Sequence, residues 1–80
     1  MDKYQVANME EEIRKLWRMV DTYRAKRDEA NGSGEHEKAR RYDARADKTI
    51  AKIDGFKCAL CVLGYMVIWK DEKQMIVPLS

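Results

Sequence analysis

Two cysteines, one histidine and a band of cations are the side chains whose types and spacing could do chemistry in this chain. Cys58 and Cys61 form a Cys-x-x-Cys pair, a spacing that can ligate zinc or cycle between dithiol and disulfide. A zinc site needs two further ligands, and no second cysteine pair exists. His36 lies 22 residues before Cys58, roughly 33 Å away if one helix joins them, so it cannot converge on the pair within one chain. A redox pair gains reactivity at a helix N-terminus, whereas these cysteines fall near the end of an apolar helical run. They are expected to be core residues, with a metal shared between two copies as the remaining alternative. His36, between Glu35 and Glu37, reads as a solvated surface residue. Asn31-Gly32-Ser33-Gly34 lacks the Lys-Ser/Thr of a phosphate loop and follows a helical pattern, so it reads as a turn. No serine nucleophile or catalytic carboxylate pair can be picked out. The expectation is a non-enzyme without catalytic residues, cofactor or metal.

The cations form the second candidate. Arg14, Lys15, Arg18, Arg24, Lys26 and Arg27 stand against one acid, Asp21, and Lys38, Arg40, Arg41, Arg45, Lys48 and Lys52 against Asp43 and Asp47. Side by side, the two segments would form a basic band able to track phosphates, with Tyr23 or Tyr42 available for stacking. Arg14, Arg18, Arg24, Arg27, Lys38, Arg41, Arg45 and Lys48 are its candidate anion-binding residues. The competing expectation is that long helices need charged outer faces and that Asp21, Asp43 and Asp47 tie some of these cations down.

Two heptad runs would have to position these groups. Val6, Met9, Ile13, Leu16, Val20, Tyr23, Arg27 and Ala30 alternate at spacings of 3 and 4, and so do Ala39, Tyr42, Ala46, Thr49, Ile53, Phe56, Leu60 and Leu63. The turn between them predicts an antiparallel hairpin, helix 1 over about 4–31, turn 31–34 and helix 2 over about 35–63. Gly32 is expected to take the left-handed position ending helix 1, and Ser33 or Gly34 to cap helix 2. Folding about residue 33 pairs positions whose numbers sum to roughly 66, so that Val20 faces Ala46, Ile13 faces Ile53, Met9 faces Phe56 and Val6 faces Leu60. Gly55 interrupts the second run at a cost near 1 kcal/mol. A continuous helix is preferred, because helix 1 would otherwise lack a mate.

Beyond Gly64, a helix-ending glycine, Tyr65 to Trp69 and Gln74 to Val77 read as the strands of a short β-ribbon over about 65–78, turning at Lys70-Asp71-Glu72-Lys73. Both ribbon faces are apolar, and an isolated two-stranded ribbon is marginal in water. It must pack on the open end of the hairpin, on a second copy or on a partner. Trp17 and Ile50 lie just off the seam and, with Cys61 and Met19, suggest a second apolar stripe. The expected interface residues are therefore Trp17, Ile50, Tyr65, Val67, Trp69, Met75 and Val77.

Eighty residues with 45% hydrophobic and 38% charged side chains make one small, mainly α domain, and a net charge of +2 selects no partner. The apolar run from Cys58 to Trp69 is too short for a membrane span of about 20 residues, the first eight residues do not resemble a signal peptide, and a reducing cytoplasm is the default location. The functional expectation is a homo-oligomeric protein-binding adaptor or inhibitor, of the kind that phages and mobile elements encode as accessory proteins. The alternative is a nucleic-acid- or anion-binding module using the basic band.

Overall fold

The computed structural model describes residues 1–79, and in it two antiparallel helices pack along their length beneath a two-stranded ribbon. Helix α1 spans Lys3–Gly32 and α2 His36–Val62, followed by strands β1 (Tyr65–Lys70) and β2 (Lys73–Pro78). The molecule measures 49 × 23 × 18 Å. The boundaries follow the predicted hairpin and ribbon within a residue or two, and α2 runs unbroken through Gly55.

A capping box fixes the start of α1. Asp2 Oδ1 accepts the Gln5 N–H at 2.8 Å, and Gln5 Oε1 accepts the Asp2 N–H at 3.0 Å. At its end the left-handed residue is Gly34, with φ +78°, not Gly32, which stays helical. The helix can use Gly32 because the terminal carbonyls find donors farther on: Ser33 N–H bonds the Glu29 and Ala30 oxygens, and Glu35 N–H bonds Ala30. The N-cap of α2 is Glu35, without a side-chain bond, rather than Ser33 or Gly34. Gly64, at φ +87°, ends α2 as its pattern predicts.

The seam buries Ile13, Leu16, Val20 and Ala30 from α1 against Ala39, Ala46, Thr49, Ile53 and Leu60 from α2. Thr49 satisfies its hydroxyl on the Arg45 carbonyl, 2.9 Å away. Near the tip the layers match the expected pairing, since Val20 groups with Ala46. Toward the open end Val6 groups with Leu60 as expected, while Ile13 and Ile53, and Met9 and Phe56, fall in different layers. Ile53 and Phe56 pack with Leu16 and Val20, while Ile13, with Val6 and Met9 beside it, packs on Leu60. The connection between Gly32 and His36 centres on residue 34 rather than 33, which shifts the pairing sum upward. Leu63, the last seam residue expected, is 62% exposed, because α2 has already ended at Val62.

The ribbon closes through a two-residue turn in which Asp71 (φ 51°) and Glu72 (φ 62°) are both left-handed, the type I′ geometry that matches strand twist. Antiparallel pairing sets Tyr65 opposite Pro78, Val67 opposite Ile76 and Trp69 opposite Gln74 on one face. That face lies on the helices, β2 against α1 and β1 against α2. Ile76 is buried with Ile13 and Leu60, and Tyr65 and Val67 pack around them.

Candidate functional site

The two faces of the ribbon differ in what covers them. Side chains alternate along each strand, so Met66, Ile68 and Lys70 share the outward face with Lys73, Met75 and Val77. Its middle is entirely apolar: Met66 opposite Val77 and Ile68 opposite Met75. Neither buried cluster includes any of these four, of which Met66 is exposed and Ile68, Met75 and Val77 are half-buried. Leu79, exposed beyond Pro78, continues the same face by alternation, while exposed Val62 lies about 200° round α2 from buried Leu60 and points away from the ribbon.

The two edges differ as well. Two hydrogen bonds fix the phase of the ladder: Leu79 N–H donates to the Gly64 carbonyl at 3.0 Å, and Ile76 N–H turns away from β1 to Glu10 Oε2 at 3.1 Å. Narrow pairs therefore fall at Gly64–Leu79, Met66–Val77, Ile68–Met75 and Lys70–Lys73, and the alternate residues aim their backbone groups outward. On β2, Ile76 is bonded to Glu10 and Pro78 has no N–H, which closes most of that edge. On β1, the N–H and C=O groups of Tyr65, Val67 and Trp69 make no hydrogen bond among the described residues.

The predicted interface residues are divided by this geometry. Met75 and Val77 lie on the outward face. Tyr65 and Val67 lie inward, and the Tyr65 hydroxyl accepts from the Met1 amine at 3.1 Å. Trp69 is inward by register yet 67% exposed, because it hangs over a groove of about 380 Å³ between the ribbon turn and α1. Trp17 lines the same groove and packs against both core clusters, with Lys57 Nζ 6.0 Å from its ring. Ile50 packs on the cluster nearer the tip. Met19 and Cys61, expected on the same stripe, are exposed. Met66 and Ile68 escaped the sequence reading. Period-two alternation counted from the turn at residues 71 and 72 would have grouped them with Met75 and Val77.

Cys58 and Cys61 are free and exposed, which corrects the expectation of core cysteines. On a helix whose buried stripe runs through Ile53 and Leu60, position 61 lies about 100° from Leu60 on the flank and position 58 about 200° from it on the opposite face. No group of three or more metal-ligating side chains occurs among the described residues.

The basic band is partly neutralised. Arg27 bonds Asp43 across the hairpin at 2.8 Å and Asp28 at 3.0 Å, and these carboxylates, Asp43 first, hold its guanidinium more firmly charged than usual. Arg14 pairs with Glu11, Lys38 with Glu35 and Arg41 with Glu37. Arg18, Arg24, Arg45 and Lys48 pair with no acid among the described residues, so Asp43 serves the band as expected while Asp21 and Asp47 do not. Tyr23 and Tyr42 stack on each other at 6.5 Å, and Lys26 and Arg45 lie 5.8 and 5.7 Å from the Tyr42 ring. The rings expected to stack on bases are already engaged.

No protein-family model, curated protein or solved structure matches this chain. Among the described residues, no helix is long and apolar enough to cross a membrane.

Proposed function

We propose that this protein is a small non-enzymatic adaptor or inhibitor that self-associates and binds another protein. The reading rests on the outward face of the ribbon, where exposed Met66 and half-buried Ile68, Met75 and Val77 face away from the core with exposed Leu79. A contiguous apolar patch on so small a molecule marks a contact surface. A reducing compartment such as the cytoplasm suits two exposed free cysteines. The test is a tagged pull-down from native lysate, split into nuclease-treated and untreated halves. One discrete protein retained by the wild type after nuclease, and lost with Met66→Lys plus Val77→Lys, is the expected result.

A second reading, an anion- or nucleic-acid-binding role, is favoured by Arg18, Arg24, Arg45 and Lys48, candidate cations that pair with no acid among the described residues. It requires recovery that disappears with nuclease, affinity that falls steeply with salt, and loss on changing Arg24 and Arg45 to Glu.

A further inference from the structure

We infer that the outward face of the ribbon is covered by the same face of a second copy, so that two chains stack ribbon on ribbon with their helices outermost. This deepens the proposed self-association by naming its surface and geometry. The ribbon offers a second copy two places, its edge and its face, and the helices decide between them. Joining β1 to β1 would set the strands about 4.8 Å apart. Each β1 lies against its own α2, so the two α2 helices would be forced well inside the 8–10 Å that packed helices need. The β2 edge is closed by Glu10 and Pro78. Face-to-face stacking meets neither obstacle, because sheets pack about 10 Å apart with the helices on the far sides.

Area and charge then set the strength and direction of the stack. A strand of six residues spans roughly 20 Å and a two-stranded face is roughly 10 Å wide, so each copy buries only a few hundred Å², short of the roughly 1,000 Å² total of a strong specific interface, and the contact is weak. On the outward face, Lys70 and Lys73 sit at the turn end, and α2 ends beside Gly64 at the other. The last turn of α2 has no basic residue among the described residues to offset the negative end of its dipole. A twofold axis running across the strands sets the lysines of each copy toward the α2 C-terminus of the other. An axis along the strands would instead gather four lysines. The stack is therefore antiparallel and weak, and both β1 edges stay open.

Light scattering and sedimentation over a concentration series, with two face variants, provide the test. The wild type is expected to form a dimer, Ile68→Lys and Val77→Lys each to weaken it at least tenfold, and Trp17→Phe to leave it unchanged. Helical circular dichroism confirms that the variants remain folded. An independent readout that needs no variant is an isotope-filtered NMR experiment on mixed methyl-labelled methionine samples. It should show intermolecular contacts at Met66 and Met75, and none at Met9 or Met19. A dimer that ignores both lysines, or intermolecular contacts confined to Met19, overturns the stack while leaving self-association standing. A wild type that stays monomeric to millimolar concentration overturns the stack and self-association together, and the pull-down then judges partner binding separately.

Discussion

The two ends of the helical hairpin are built from the same heptad pattern but hold together differently. Toward the tip the seam is Ala30, Ala39 and Ala46, with Arg27 and Asp43 bridging the helices at the surface. Alanines let helices approach closely but bury little area, and an exposed ion pair contributes little. Toward the open end Ile13 and Leu60 are completely buried, and Ile76 of the ribbon closes over them as a third layer. The comparison teaches that the hairpin is not a self-sufficient coiled coil. Its large buried side chains lie in the middle, where Val20 and Ile53 are completely buried, and at the open end under the ribbon, and the alanine tip is carried along by continuity of the helices.

Leu60→Ala tests this most severely. It empties the layer shared by α1, α2 and β2, and is expected to cost about 2–5 kcal/mol in urea unfolding, enough to unfold much of so small a domain at 25 °C. Glu10→Ala is next, since it removes the acceptor of the Ile76 N–H, a charge-assisted bond worth roughly 1.5–3 kcal/mol. Loss of hydrogen-exchange protection at the Ile76 amide, together with a fall in melting temperature, would separate it from a surface effect. Gly55→Ala works in the opposite direction. An added methyl there meets nothing within 4 Å, so the variant should gain close to 1 kcal/mol in the same unfolding measurement. The smallest effect belongs to the tip, where Asp43→Asn should leave the melting temperature unchanged because Asp28 still holds Arg27. A large loss from Asp43→Asn, or a small one from Leu60→Ala, would reverse the comparison.

Much of this was legible in the residues. Heptad spacing depends only on which side chains are apolar, so the hairpin, its turn, the uninterrupted α2 and the ribbon were all readable from Val6 to Val77. The candidate site was only half readable. Alternation from the turn at Asp71 and Glu72 sorts the ribbon residues into two faces, but both faces are apolar, so nothing local says which one lands on the helices. The cysteines are exposed because Cys58 lies on the face of α2 opposite the seam and Cys61, one position past it, is buried only if something else covers it. The ribbon covers Leu60 and leaves Cys61 in water. The bond from Glu10 to Ile76 left no local signal, since a glutamate within the run Glu10-Glu11-Glu12 reads as solvated until the strand beside it is placed.

That bond joins residues 66 apart in sequence, whereas the helices meet through a turn of a few residues and the ribbon through a turn of two. Contacts that close short loops form first, and docking the ribbon across the whole chain comes after most of the loop-closure entropy has been spent. The clasp between Glu10 and Ile76 therefore belongs to the late, native side of the folding barrier. Weakening it should steepen escape from the native state and hardly slow entry, so the clasp governs how long the molecule stays folded more than how fast it gets there.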